Sequence, residues 1–584
     1  MPGAVSSQHR LQKLLRKGLK HHQEGRIELA EACYRKILKA DPTSSEARQM
    51  SRLLGGEAGS PQEWLRSLSA TLADDPPTLS NRAGSFLAEG KIQPAIDCFK
   101  RVVELQPDSA HAHHQLGEAQ ERLGDLQAAA NSYQRALVLQ PDSPDHYCHL
   151  ARVLLQGGAL QPAAELYQRA SALDPKRYEI YNDLGVVLTD LGNFGAAIEA
   201  FRRSLRLNPR SAKTIASLGH LFERKGDLIS AADAYRDAIK LDPTLIPAHA
   251  DLGFVLYGLG EVAEASDCFE RLRALQPDSA EATANLGLIH LLQGDLKAGW
   301  AEFESRSEVG IGDDRRLVQR RWKGEPLAGQ RILLYAEQGF GDTLQFLRYV
   351  PLVAARGGQV VLEIQPQLHR LLSGTDGASH VISRGETLPP FTWQCSLLSL
   401  PLAFGTELQT IPARAPYVYP DPAQMEAWRQ RLQGDTRRIG LAWSGNPTHH
   451  RDRLRSIPLE LFAPLLNVPG TTFYSLQLGP GSEQVKQLPP EARLIDLGAE
   501  LKDFADTAAI VASLDLVISV DTSVVHLAGA MGKPVWVLLN KGCDWRWFLQ
   551  REDSPWYPTA RLFRQTTAGG WQEVVSRVER ELRR

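Results

Sequence analysis

Prolines recur at positions 107, 141, 175, 209, 243 and 277, each 34 residues after the last, and each closes a phrase such as LQPDS, LDPKR, LNPRS or LDPTL. A fixed period of this length holds one helical hairpin per repeat, and each hairpin must bury its apolar face against the next. The packing positions keep the same step. Leu116-Gly117, Leu184-Gly185, Leu218-Gly219 and Leu252-Gly253 fall on a first helix, and Gly124, Gly192, Gly226 and Gly260 fall at the turn. Ala129, Ala197, Ala231 and Ala265 follow, then Tyr133, Tyr167, Phe201, Tyr235 and Phe269 on a second helix. Small residues let the paired helices approach, and the aromatic rings fill the gap between them. The pattern predicts an α-solenoid over the first half of the chain.

That half closely resembles the tetratricopeptide-repeat family. An earlier unit ends at Pro42, GGEAGSP at 55–61 reads as an inserted turn, and a divergent unit occupies 62–76, so the array is expected over 10–306. Its last half-repeat runs from Asn285 to Arg306, and a polar junction, 307–330, leads into the second half. A superhelix of this kind offers a groove made by the first helix of every repeat, suited to extended or helical peptides. The groove positions begin polar, with His111, His114, Glu118, Glu179, Asn182, Lys213 and His220, and end apolar, with Ala250, Phe254, Tyr257, Ala284 and Leu288. The apolar end either packs against the following repeat or the C-terminal domain, or docks an acceptor protein, in which case Phe254, Tyr257 and Leu288 line the acceptor groove.

From Arg331 the period changes to strand (RILLYAE), glycine turn (QGFGD), helix and strand (QVVLEIQ), the start of a βαβ unit. Gly339-x-Gly341 and Glu363 invite a dinucleotide reading. Against it, Leu344 stands at the third glycine position and Asp342 at the helix start, where its charge repels a pyrophosphate. Asp342 is either a plain helix cap or a carboxylate held ionised for use as a base. A second strand-turn set begins with RRIGLAWSGNP, which places Ser444 and Asn446 after a strand, and continues into the basic loop His449 to Ser456. Arg451, Arg453 and Arg455 alternate there, either as an exposed charged loop or as bidentate partners for a diphosphate.

The stretch Leu514 to Leu539 reads as strand, polar turn, short helix and strand. Asp521 lies at the carboxyl end of the first strand, and Thr522 and Ser523 open the helix, where unpaired N–H groups favour an anion. Ligands of open α/β sheets bind at that edge. Thr522 or Ser523 also suits a plain cap, and His526 a satisfied helix histidine. Beyond it, Trp545, Trp547, Trp556 and Tyr557 crowd together, either as core or as faces for a base or sugar.

Asp521-Thr522, His526-Leu527 and Ala530 make this stretch similar to the Asp-Thr-x-x-x-His-Leu-x-x-Ala segment of heptosyltransferase-like glycosyltransferases, where it lies at the donor nucleotide; Ser523 stands where several members have Gly. Gly341-Asp342 matches the turn whose carboxylate serves as that family's base. The resemblance implies a GT-B fold of two Rossmann-like lobes, an acceptor-side lobe at 331–420 and a donor-side lobe at 421–584. It implies an inverting transfer from a nucleotide sugar, with Asp342 as base and Ser444, Asn446, Arg453, Arg455, Asp521, Thr522, Ser523 and His526 around the donor. With a repeat arm attached, the chain looks like bacterial protein glycosyltransferases, including a flagellin-modifying type, and its layout is similar to tetratricopeptide O-GlcNAc transferases. The implied acceptor is a Ser or Thr hydroxyl of a protein. The alternative is a non-catalytic repeat scaffold carrying a relic or ligand-sensing transferase domain.

Composition narrows the partners. The formal net charge of -2 gives no reason to expect nucleic acid. The six cysteines form no C-x-x-C pair and fit a reducing cytoplasm. No apolar run approaches the ~20 residues of a membrane span. No Asp-x-Asp follows a strand in 331–584, so neither a metal nor another cofactor is expected beyond the nucleotide-sugar substrate.

Overall fold

The computed structural model describes residues 75–310, 315 and 317–584, apart from 433, 450, 490 and 491, together with 26–40, Ala47 and a few positions between 13 and 21. The turn expected at 55–61, Pro42 and nearly all of the divergent unit at 62–76 lie outside the described residues. The chain divides into two compact units, one up to Val187 and one from Leu188.

In the first unit the helices come in pairs, Pro76–Ala88 with Ile92–Leu105, Ala110–Leu123 with Leu126–Leu139, and Pro144–Gln156 with Leu160–Leu173. The repeated phrases explain the helix starts. Ser109, two residues after the first of the periodic prolines, accepts the N–H of Ala112 at 3.2 Å, and Asp125, after the turn glycine, accepts that of Ala128 at 3.0 Å. Ser211, Asp227, Ser279 and Asp295 cap helices of the second unit in the same way. The first-helix glycine is a contact point. A Cβ on Gly117 would stand 2.8 Å from the Tyr133 ring, one on Gly219 2.8 Å from Tyr235, and one on Gly253 2.6 Å from Phe269.

The second unit continues the hairpins to Leu296–Phe303 and then forms two sheets. The first has β1 (Arg320–Arg321), β2 (Arg331–Tyr335), β3 (Gln359–Ile364), β4 (Ala378–Ser383) and β5 (Trp393–Ser396), in the order β1-β5-β2-β3-β4. The second has β6 (Arg437–Ala442), β7 (Thr471–Ser475), β8 (Leu494–Asp496), β9 (Leu516–Val520), β10 (Val535–Leu539) and β11 (Ala560–Arg564), in the order β11-β10-β9-β6-β7-β8. Every pairing within both sheets is parallel. That explains the largely apolar runs of β9 and β10, since strands covered on both faces bury nearly every side chain, Ser519 included and Trp536 excepted. The polar stretch 307–330 is more than a connector. It supplies the edge strand β1, and its Trp322 and Leu327 are buried.

The last hairpins share one apolar core with both sheets. Trp300 donates its indole N–H to the carbonyl of Thr406 at 3.0 Å and meets Trp545 edge to face. Tyr257 donates to the carbonyl of Cys543 at 3.2 Å, and Lys541 pairs with Glu261 at 2.8 Å. Among the described residues no helix is long and apolar enough to cross a membrane.

The glycine contacts make a test of the hairpin packing. Gly253→Val should lower stability by about 1–3 kcal/mol through overpacking against Phe269, read as a lower urea midpoint. Gly195 has nothing within 4 Å of a built Cβ, so Gly195→Ala, inside a helix, should hold or slightly raise the midpoint. Equal midpoints for both variants would show that glycine is not required for close approach.

Candidate active site at the facing sheet edges

The turn after β2 holds the first carboxylate. Gly339 precedes the helix Phe340–Phe346, and its N–H donates to Asp342 Oδ2 at 2.8 Å, so Asp342 does cap this helix. Gly341 is obligatory for a different reason. A Cβ there would lie 2.6 Å from Cδ2 of His526, which belongs to the helix after β9. The two glycine-turn and Asp-Thr segments, distant in sequence, therefore touch.

In the second sheet, Asp521 follows β9, and Thr522 begins the helix Ser523–Ala530 with its hydroxyl 3.1 Å from that of Ser519. His526 is buried, with Nδ1 2.9 Å from the Tyr557 hydroxyl, Nε2 4.0 Å from Asp521, and its ring stacked on Trp547. Burial, then the Arg546 charge, pulls its proton affinity down to about 3, so the ring is neutral. Burial, helped by Asp544, pushes the Asp521 carboxyl above its usual range, while Arg455 and Arg546 oppose the shift.

Arg546 joins the two sides. One guanidinium nitrogen pairs with Asp544 at 2.8 Å, another pairs with Asp342, and Nε has no partner. Asp544 also accepts the backbone N–H of Arg546 at 3.0 Å, which fixes the turn Trp545–Trp547. Phe548 ends that turn at φ 56 and ψ -170, a region nearly reserved for glycine and costing about 1–3 kcal/mol. Burial pushes the Asp342 carboxyl up, and the Arg546 charge acts against it.

The basic loop does not behave as one diphosphate clamp. Asp452–Arg455 is a helical turn, so Arg453 and Arg455 point to different sides. Arg453 is exposed and donates to the carbonyl of Arg224 in the hairpin array at 3.1 Å. Arg455 stays at the sheet edge, 3.1 Å from Asp452 and packed on Gly445, where a Cβ would meet its guanidinium at 2.5 Å. Arg451 lies over the Tyr257 ring at 4.2 Å and donates to the carbonyl of Gly542. Ser444 stands after β6 with its N–H on Gln477 at 2.9 Å, while Asn446 is exposed and spends its side-chain oxygen on the N–H of Thr448.

The contacts decide between several of the alternatives the sequence left open. Tyr257 is buried beneath Arg451, and Leu288 packs against the shared core, which leaves only Phe254 of the proposed acceptor groove exposed. Arg453, expected in the donor set, bonds the hairpin carbonyl of Arg224 instead of facing Arg455. Trp545, Trp547, Trp556 and Tyr557 are all buried, so none offers an open face for stacking. Glu363 is tied to Arg315 by two bonds of 2.9 and 2.7 Å, which leaves it no ribose-binding role. The residues not foreseen are Arg546 and Asp544. The alternation Asp-Trp-Arg-Trp at 544–547 was the available signal for both, since charges set between large apolar side chains at such spacing must be paired when buried.

A tetratricopeptide repeat model matches residues 81–144, 114–178, 148–212, 182–246 and 250–305, and a second such model matches 14–44. The first half is a tetratricopeptide-repeat array. Protein FlbA of Caulobacter vibrioides is 28% identical over 324 residues, 50% of this chain and 54% of that protein, so the chain spans about half the length of this curated relative. Among solved structures, a tetratricopeptide repeat protein from Parabacteroides merdae is 20% identical with a TM-score of 0.36, covering 40% of this chain and 93% of its own. MamA is 25% identical with a TM-score of 0.26, covering 28% of this chain and 94% of its own.

Two measurements check the buried cluster. Arg546→Met leaves Asp342 and Asp544 without their counter-charge and should cost about 3–5 kcal/mol, part of which Asp342→Asn in the same chain restores. Full additivity of the two substitutions would show that the pair does not interact. For His526, a folded-state affinity below the ordinary 6.5 contributes stability that is complete above that pH and is lost as pH falls below it, by up to ~1.4 kcal/mol per unit. His526→Gln should therefore give a flatter denaturation profile than the parent between pH 6.5 and about 4. Parallel profiles would place the histidine in water.

Proposed function

We propose that the second half is a GT-B glycosyltransferase that moves a sugar from a nucleotide sugar, held mainly by the β6–β11 sheet, to a Ser or Thr hydroxyl of a protein recruited by the tetratricopeptide repeats. The observation that carries this reading is the single buried guanidinium of Arg546 between the glycine-turn carboxylate Asp342 and the Asp521 to His526 segment. A donor diphosphate offers oxygens to Arg546 and Arg455 in place of carboxylates, and the unpartnered Nε of Arg546 gives it a further donor. Asp342 is then released in a desolvated site where burial raises its proton affinity, which suits a base. It takes the hydroxyl proton as the oxygen bonds to the anomeric carbon. The bond from that carbon to the diphosphate breaks on the opposite face, the diphosphate leaves with the electron pair, and the arginines balance its charge. One displacement inverts the stereocentre.

A scaffold function is the second reading, favoured by the engagement of Arg451 and Arg453 with the repeats and of Asp342 with Arg546. Nucleotides and nucleotide sugars separate the two. A ligand present at ~100 times its dissociation constant adds about 2.7 kcal/mol to the native state, visible as a raised melting temperature. Asp342→Asn should keep that shift and cut single-turnover transfer by about 10² to 10⁴. Near-normal transfer by the variant, or a product with retained configuration, removes Asp342 as base; no thermal shift with any nucleotide sugar leaves the scaffold reading standing.

A further inference from the structure

A second cluster of chemistry-bearing side chains lies far from the sheets in sequence, in the first unit. His114 and Glu118 are four residues apart on the helix Ala110–Leu123 and so share one face. His149 comes to them from Pro144–Gln156, the first helix of the next repeat. One ligand atom from each of the three lies within 4.8 Å of the other two, and His114 Nε2 is already 3.6 Å from Glu118 Oε1. Ligands of a tetrahedral ion with bonds of ~2.0–2.1 Å stand roughly 3.3 Å apart, so small rotations of side chains on a fixed pair of helices close the set.

We propose that His114, Glu118 and His149 bind a borderline divalent transition-metal ion, zinc by preference. Two imidazoles and one carboxylate are a donor set for zinc, cobalt or nickel, whereas calcium and magnesium need more oxygen ligands. The surroundings of the triad fit the role. The other ring nitrogen of His114 is 3.1 Å from Nδ1 of His146, an outer contact of the kind that orients a metal-binding imidazole. His146 is itself buried, and its Nε2 has no hydrogen-bond partner, so the histidine layer is not a closed network. Arg152 touches His149 Nδ1 at 2.7 Å and is the competitor. On metal binding that contact gives way, while Arg152 keeps its two bonds to Glu121 at 2.8 and 2.9 Å, which neutralise its charge. His114 is 15% exposed and Glu118 44%, so the set opens to solvent on the Glu118 side. Three protein ligands leave the fourth position for water or for a side chain of a protein docked on the repeats.

The test uses the full chain, stripped of metal with a chelator and dialysed. Titration with zinc by calorimetry should show one saturable site of micromolar or tighter dissociation constant, and cobalt at the same site should give the visible absorption of a tetrahedral ion. His149→Ala and the conservative Glu118→Gln should each weaken that site at least tenfold with unchanged far-ultraviolet circular dichroism, and excess zinc should raise the melting temperature of the parent above that of either variant. Glu118→Gln keeps the side-chain volume, so it decides the question if His149→Ala unfolds. Unchanged zinc affinity in Glu118→Gln and His149→Ala, or no saturable site in the parent below millimolar zinc, overturns the proposal.

Discussion

The meeting of the two sheet edges depends on the buried cation Arg546. It is flanked by Asp544 of its own turn and Asp342 of the other sheet, and the charge of Asp521 acts on it too. A guanidinium removed from water is tolerated only when its partners are fixed, and the gain from pairing roughly cancels the cost of desolvation. The cluster therefore specifies how the two sheet edges meet more than it stabilises them. Phe548, in a conformation suited to glycine, follows this turn directly and is itself buried.

How much of this was legible in the sequence follows from whether a residue's role is local. The 34-residue period, the glycine-aromatic pairs and the cap residues each act within one hairpin, so their spacing carries the information, and the structure places Gly117 against Tyr133 and Gly253 against Phe269 as the spacing implies. The alternation of strand and helix after Arg331 likewise predicts parallel strands. Asp342 and His526 were legible as residents of the opening turns of helices that follow strands, and their contact through Gly341 follows once two such edges face each other. The arginines were not legible. Alternate positions suggest one direction only in an extended loop, and the loop turns out to hold a helical turn, which sends Arg453 to the repeat carbonyl and leaves Arg455 at the edge. Arg546 and Asp342 are paired across 204 residues, a separation no local pattern encodes.

Of the two readings of the apolar groove end, the contacts match the packing one. An apolar end to an array of repeats signals that something covers it, and here the cover is the chain's own second half. Tyr257, read as a docking residue, lies under Arg451 and bonds to the carbonyl of Cys543, while Gly542 approaches the same turn so closely that a Cβ would sit 2.1 Å from the Tyr257 carbonyl oxygen. Hydrophobicity at those positions marked a covered surface, and packing against the C-terminal domain was among the readings it allowed.

The same seam sets a constraint on any ligand that enters between the sheets. Arg451 is held by Tyr257, Arg453 by the carbonyl of Arg224, and Leu454 packs close to Gly258, so the loop that flanks Arg455 is fastened along its length to the repeats of its own unit. A movement of those repeats changes the loop, and a ligand gripping Arg455 must be compatible with the repeat contacts. The coupling works both ways by thermodynamic necessity, because a ligand that prefers one loop position stabilises the repeat arrangement that goes with it. Arg546 adds the opposing term. An anion that draws it from Asp342 must supply at least the interaction lost, and leaves that carboxylate desolvated without its counter-charge. Ligand entry, loop position and the charge of Asp342 are thus parts of one equilibrium, which a ligand shifts only by its difference in affinity for the two states.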